Sequence, residues 1–174
     1  MPEPERGRPA GFPDETAATE QRTLLDAIVA GTIPDPPCVA RLALPRPDRW
    51  TPGRVSALIE AGPELTWGAG VVFGGYLACV LDLFAGFAAM TVLPDGFAFL
   101  TADLDTAFHV PVAPGPIEVE ASVDDLSARR AIVSVRLSQQ GRTAVSARAT
   151  QLLIRAPDPE RAPSAPAVSR TTVG

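Results

Sequence analysis

The sequence predicts a two-layer α+β domain, in which one long apolar helix packs against an antiparallel sheet. Residues from Gly75 to about Val92 form a long, mostly apolar stretch that ends at Pro94-Asp95-Gly96, as a buried helix would. Beyond that turn, apolar and polar residues alternate in four successive segments, which is typical of strands with one buried face. A length of 174 residues allows one such domain with a substantial core.

The residues before the long helix predict a helix and a strand, joined by a proline-rich connector. Asp14 or Thr16 can cap a helix whose apolar residues recur at helical spacing until Gly31 ends it. The connector covers residues 33–52. Residues 54–61 alternate in the manner of a strand, and a Gly-Pro pair follows them.

The strands after the long helix are expected to form a meander. Turn sequences separate them, and they cover residues 97–108, 117–126, 131–139 and 143–155. Alternation along the first of these strands predicts that Thr101, Asp103 and Asp105 share one face.

The two ends of the chain are predicted to be disordered tails. Residues 1–14 and 156–174 are rich in Pro, Ser, Ala and Arg and can bury little apolar surface. Residues 15–155 are then the single domain.

Composition excludes several classes of function. The net charge of −5 gives no electrostatic basis for binding nucleic acid or an anionic membrane. Every basic residue is Arg, which excludes lysine chemistry, and one His with two Cys cannot build an ordinary zinc site. The N-terminus lacks the apolar core of a signal peptide, so we expect a cytoplasmic protein with no metal and no disulfide.

The apolar helix carries one acid, Asp82. It lies in a stripe of small residues at helical spacing, namely Gly75, Ala78, Cys79, Ala85, Gly86 and Ala89. An acid inside an apolar segment of this length favours a buried helix over a membrane span. A buried carboxylate costs several kcal/mol unless it is paired or reached by water. Asp82 is therefore either a base or nucleophile, or one half of an ion pair with an Arg that only fixes the packing.

The start of this helix offers a second chemical feature. Gly74 and Gly75 lie where the loop enters the helix, and free N–H groups at a helix N-terminus can hold an oxygen on which negative charge develops. The alternative is that the two glycines only make a tight entry turn.

Two segments together resemble the PaaI-type branch of the hotdog-fold thioesterases. They are F-G-G-Y-L-A-C-V-L-D, from Phe73 to Asp82, and F-L-T-A-D-L-D-T-A-F-H-V-P-V-A-P-G-P-I-E-V-E-A, from Phe99 to Ala121. The resemblance covers residues 54–155. It implies a hotdog fold and hydrolysis of an acyl thioester carried by coenzyme A or a carrier protein. It also implies a homodimer or homotetramer with active sites at the subunit seam, and no cofactor apart from the coenzyme A of the substrate.

The resemblance assigns a role to each matching position. Asp82 falls on the catalytic carboxylate, Gly75 on the backbone N–H that polarises the thioester carbonyl, and Thr101 on a hydroxyl that faces the acid from a second subunit. Phe73 stands where the family usually has His, and Trp67 lies near a usual Asn or Gln. These two aromatic residues would make a slower enzyme, a site for a bulky or aromatic acyl group, or a site kept only for binding.

Three further residues are candidates with open alternatives. His109 resembles the histidine of hotdog dehydratases, but it follows the long helix, so a place near the pocket mouth is favoured. Arg129 and Arg130 lie at a predicted hairpin turn and could hold the phosphates of coenzyme A, or they could simply be exposed. The main alternative to hydrolysis is a non-catalytic protein that binds acyl thioesters.

Overall fold

The protein is described by a computed structural model that covers residues 19–156. Apart from Ala156, the predicted tails at residues 1–14 and 156–174 lie outside the described residues, as do the predicted caps Asp14 and Thr16. None of the helices in the described part has the length and hydropathy of a membrane span.

Three α-helices and six strands make up the described chain. The helices are α1 (Thr19–Ala30), α2 (Pro37–Arg41) and α3 (Gly74–Met90). The strands are β1 (Arg49–Thr51), β2 (Arg54–Ala61), β3 (Phe97–Phe108), β4 (Gly115–Leu126), β5 (Arg130–Gln139) and β6 (Arg142–Arg155). The predicted long helix and its following strands agree with these bounds to within two residues. The connector at residues 33–52 was predicted without secondary structure, yet it contains α2 and β1.

All six strands belong to one antiparallel sheet in the order β1-β2-β4-β5-β6-β3. The predicted meander of four strands is therefore wrong for its first member. Strands β4, β5 and β6 form a meander, but β3 lies on the far side of β6 and ends the sheet there.

The segment between β3 and β4 explains this placement. Residues 109–114 include two prolines, which lack the N–H that a tight hairpin needs. From β3 to β4 the segment must cross three strand spacings, about 14 Å, which six extended residues can span. Two backbone hydrogen bonds hold this segment in place. The N–H of His109 donates to Ala144 O at 2.8 Å, and the N–H of Val72 donates to Val112 O at 2.8 Å.

Helix α3 lies across one face of the sheet and supplies the centre of the core. Its bulky residues Leu77, Val80, Leu81 and Phe84 are buried, as the periodicity predicts. The inward residues of β4, β5 and β6 pack against them, and each of these strands alternates between buried and exposed residues.

Candidate active site

Asp82 lies halfway along α3 and is partly exposed. Its Oδ1 accepts a hydrogen bond of 2.8 Å from Oγ1 of Thr101. The ion pairs among residues 19–156 join Arg46 to Asp35 and Arg136 to Glu120, so Asp82 belongs to neither. The alternative in which Asp82 pairs with an arginine is therefore not the arrangement found among residues 19–156. The carboxylate is therefore partly exposed and is oriented by one hydroxyl.

Thr101 reaches the helix because of an irregularity in β3. It pairs with Gln151, whereas Asp103 pairs with Thr150, so Ala102 is an extra residue in the strand. Such a bulge bends the strand and redirects side chains, and bulges recur beside active sites. It also overturns the expected common face: all three residues are exposed, but the hydroxyl of Thr101 reaches Asp82 on α3, whereas Asp103 and Asp105 lie on either side of the inward Leu104. Within one chain Thr101 contacts Asp82 of its own helix, and the expectation that it faces the acid of another subunit stays a prediction.

Gln151 completes this group and was not predicted. It is buried on β6, and its Oε1 lies 3.1 Å from Oγ1 of Thr101. Its Nε2 is also buried and has no hydrogen-bond partner among the described residues. The sequence carried a signal that was overlooked: Gln151 occupies an inward position of an alternating strand, between Ala149 and Leu153, where an apolar residue is expected.

The start of α3 presents free N–H groups. Phe73 is the residue before the first helical turn, and its side chain cannot cap the helix. The N–H of Tyr76 donates to Phe73 O at 3.0 Å, whereas no backbone partner is found in the described chain for the N–H groups of Gly74 and Gly75.

Burial, with Glu64 and Cys79 as smaller contributions, raises the pKa of Tyr76 above its ordinary value of 10.0.

Three aromatic residues surround this helix start and remain exposed. The rings of Trp67 and Phe73 stack with centroids 6.1 Å apart, and 75% of Trp67 and 52% of Phe73 are exposed. The Phe73 ring lies so close to Gly75 that a Cβ there would collide with it. Phe108 is 55% exposed and would be 3.3 Å from a Cβ on Gly74. Exposed aromatic surface of this kind marks a place where a ligand or partner binds.

A shallow groove of about 350 Å³ opens beside the same helix start. Gly74 and Leu77 form one wall, and the segment from Phe108 to Val112 forms the other. Gly74 lines this groove, whereas Gly75, the glycine singled out from the sequence, faces the Phe73 ring instead. His109 also lines the groove, as expected for a residue near a pocket mouth, and its Nε2 lies 2.8 Å from Ser146 Oγ.

A single chain does not bring all of these groups together. Gly74 and Asp82 are eight residues apart on one helix, which is about 12 Å along its axis. His109 contacts Ser146 on β6, whereas Asp82 is linked through Thr101 to Gln151 on the same strand. Ser146 and Gln151 are five residues apart, so the two contacts lie about 17 Å from each other along the strand. A His-Asp pair of the dehydratase kind is therefore not formed within the chain.

Arg129 and Arg130 lie at the other end of α3. Both are exposed at the turn between β4 and β5, and the N–H of Leu153 donates to Arg129 O at 2.8 Å. A second groove, of about 490 Å³, lies beside this turn and is lined by Val92, Pro94, Phe97, Leu126, Ser127, Ala128 and Leu153. Within one chain, the two arginines are not near the N-terminus of the helix.

Solved structures share this architecture. A phenylacetic acid degradation-related protein from Ralstonia eutropha has 23% sequence identity and a TM-score of 0.66, over 74% of this chain and 98% of that protein. A thioesterase family protein from Silicibacter pomeroyi has 23% identity and a TM-score of 0.66, over 76% and 99%. A thioesterase from Haemophilus influenzae has 16% identity and a TM-score of 0.63, over 70% and 85%. No curated protein shows significant sequence similarity to this chain.

A long helix lying on a six-stranded antiparallel sheet, with one open carboxylate on the helix, defines an α+β protein of the hotdog class. Residues 69–146, which hold the helix, the bulged strand and the groove, match the family model described as the thioesterase superfamily. Over these residues the chain is similar to this superfamily, and the resemblance found in the sequence is confirmed at that level.

Proposed function

We propose that this protein hydrolyses an acyl thioester, with Asp82 as general base or nucleophile. The observation that carries the proposal is the state of Asp82: a lone carboxylate on a buried helix, unpaired by any arginine in the described chain and bonded to one hydroxyl. A group of this kind can accept a proton or attack a carbonyl carbon. The match of residues 69–146 to the thioesterase superfamily model supports the reaction class.

The general-base route has balanced steps. Asp82 takes a proton from water while the water oxygen bonds to the thioester carbon, and the carbonyl oxygen becomes an oxyanion. The free N–H groups at Gly74 and Gly75 hold this oxyanion, as donors positioned before the reaction do. The C–S bond then breaks, and the proton on Asp82 passes to the sulfur, which leaves as the thiol. In the nucleophilic route the Asp82 carboxylate attacks the thioester carbon, the C–S bond breaks, and the thiolate leaves and takes a proton from solvent. Water then hydrolyses the anhydride, which releases the acid and restores Asp82.

The route requires two chains in each site. The N–H of Gly74 is about 12 Å from Asp82 along one helix, so one carbonyl cannot contact both. A second protomer with its α3 antiparallel would bring its own Asp82 beside Gly74, and a twofold axis would create two such sites. The same arrangement brings Arg129 and Arg130 of one chain toward the helix start of the other, where they would hold coenzyme A phosphates. The unpaired edge of β3, twelve residues long, is a ready surface for this dimer.

The aromatic residues favour a bulky or aromatic acyl group. Trp67 and Phe73 offer a stacked, largely exposed pair beside Gly74, and the groove next to it is mostly apolar. Aromatic rings in such positions stabilise aromatic ligands by about 0.5–1.5 kcal/mol beyond area burial. His109, at the rim of the groove, is placed to contact the substrate.

The test is turnover on a panel of acyl-coenzyme A substrates with aromatic, short and long acyl groups. Asp82→Asn keeps the size of the side chain and its bond to Thr101, but removes the base; we expect kcat to fall about 10²- to 10⁴-fold. Equal turnover by both forms would remove Asp82 from the mechanism.

The alternative of a non-catalytic binding protein has one specific observation in its favour. The Phe73 ring occupies the space next to Gly75, where the family usually has a polar residue. Measurable binding of the acyl-coenzyme A panel with no turnover on any member would establish that alternative in place of hydrolysis. Single turnover in ¹⁸O-water separates the two catalytic routes, because ¹⁸O can enter the Asp82 carboxylate only in the nucleophilic route, when water attacks the Asp82 carbon of the anhydride.

A further inference from the structure

Gln151 is one of two fully or nearly fully buried polar side chains in the described part of the chain, Thr91 being the other. It connects to the candidate base through one hydroxyl. Oγ1 of Thr101 lies 3.1 Å from Gln151 Oε1 and 2.8 Å from Asp82 Oδ1, while Gln151 Nε2 has no partner among the described residues. Burying an amide N–H without a partner costs about 1–3 kcal/mol, so this position requires a physical explanation.

Counting protons decides which way the chain of hydrogen bonds runs. A threonine hydroxyl has one proton, and an ionised carboxylate can only accept, so the proton of Thr101 must point to ionised Asp82. The hydroxyl oxygen then needs a donor on its other side. Because the two ends of a carboxamide have nearly the same shape, a half-turn of the Gln151 amide places Nε2 there without moving other atoms.

The opposite direction is available when Asp82 is protonated. Asp82 then donates to Thr101 Oγ1, the hydroxyl turns and donates to Gln151, and Oε1 accepts as it does in the structure. A glutamine amide carries both donor and acceptor, whereas Glu, when ionised, can only accept and Met can do neither. The side chain at position 151 can therefore serve both protonation states of the carboxylate.

We propose that Gln151 is a positioning residue for the reaction. Through Thr101, its amide holds ionised Asp82 in one orientation, and it turns to accept when Asp82 gains a proton during turnover. Gln151 itself is buried behind Thr101 and does not touch the substrate. This role of Gln151 rests on the proposed function, because it concerns the same reaction. The hydrogen bonds that link Gln151, Thr101 and Asp82 can nevertheless be tested without measuring activity.

The experiment compares Gln151→Met and Gln151→Glu with the wild-type full-length protein. Two readouts are taken: the pH dependence of kcat and kcat/KM, and titration of the Asp82 carboxyl by ¹³C NMR, with the signal assigned by its loss in Asp82→Asn. Gln151→Glu places a like charge within about 6 Å, so we expect both midpoints to rise by about one pH unit. Gln151→Met should lower kcat several-fold and move the midpoint of the Asp82 carboxyl titration, because Thr101 loses its amide partner. KM should be unchanged, because the substrate contacts are intact.

Thr91→Val is the matched control. It removes the other buried polar group, whose hydroxyl bonds Gly53 N and Ala88 O at 2.7 Å each, one residue beyond α3 and far from Asp82. It should lower stability to a similar extent but leave both midpoints unchanged. A merely structural role for Gln151 predicts this same behaviour for Gln151→Met.

The outcomes separate the two proposals. Unchanged midpoints in Gln151→Met, with wild-type thioester turnover, overturn the role of Gln151 and leave the hydrolase intact. A shifted carboxyl midpoint in a protein that hydrolyses no thioester leaves the positioning of Asp82 intact and removes the proposed function. If Gln151→Glu does not fold, Gln151→Met decides alone, since it places no charge in the core.

Discussion

Two inactive variants should restore each other's activity if the active site spans two chains. Asp82→Asn removes the base. Gly74→Pro removes one N–H at the first helical position, where proline is well tolerated; the preceding Phe73 already has an extended ψ of 124°, as a residue before proline prefers. We expect Gly74→Pro to lower kcat about 10²- to 10³-fold, the usual loss for one oxyanion donor.

The activity that the two variants should recover together follows from the geometry of α3. Gly74 and Asp82 of one chain are about 12 Å apart, so each site takes one group from each chain. In a mixed dimer one site then carries both defects and the other carries neither. The isolated mixed dimer should therefore have about half of the wild-type activity, and an unsorted mixture, in which half of the dimers are mixed if the chains assort at random, about a quarter.

The assay co-expresses the two variants with different affinity tags, isolates the doubly tagged dimer and measures thioester turnover per dimer. Each variant alone, with both tags, is the control for background and for folding. Activity of the doubly tagged dimer no higher than the sum of the two controls would refute a shared site, because each site would then hold one defect.

Three other predictions follow from particular contacts. Trp67→Ala should lower kcat/KM about tenfold for aromatic acyl thioesters and less for short aliphatic ones, because it removes the exposed half of the stacked pair; an equal loss for both would contradict an aromatic pocket. Thr91→Val should lower the free energy of unfolding in urea by about 1–3 kcal/mol, because the buried N–H of Gly53 loses its acceptor. Tyr76 is the only tyrosine, so tyrosinate absorbance during alkaline titration reports it alone; its midpoint should lie above 10.0 and return toward that value on unfolding. Because the folded pKa is the higher one, the associated stability is present below pH 10.0 and is lost as pH rises through the folded pKa.

The strands were predictable because their alternation is local, whereas their order was not. Strands β4, β5 and β6 show a period of two over most of their length, which results from their own exposed and buried faces, whereas the extra residue Ala102 interrupts this period in β3. Which strand pairs with β3 depends instead on the path of residues 109–114 and on the face of the sheet that α3 covers. A local sequence pattern indicates neither of these. The position of Asp82 in α3 was equally predictable, since one charge in an apolar helix is conspicuous.

The residues around Asp82 were harder to assign because a single extra residue changes the face of a strand. Ala102 shifts the register of β3, so simple alternation grouped Thr101 with Asp103 and Asp105. Gln151 was missed for a related reason: its importance depends on a partner fifty positions away, on the strand that pairs with its own. Sequence spacing alone does not reveal a contact of that kind.

The stripe of small residues on α3 has two halves with different roles, and this division explains why Asp82 lies where it does. Toward the C-terminus, Ala85, Gly86 and Ala89 are buried, and the ring of Phe99 lies so close to Gly86 that a Cβ there would be only 2.7 Å away. Toward the N-terminus, the stripe is only partly buried, so a substrate or a second chain can approach the backbone. Asp82 stands at the boundary, one turn from the packed half that fixes its helix against β3. A carboxylate one turn further on would be sealed in the core without a partner, and one two turns earlier would have no threonine to orient it.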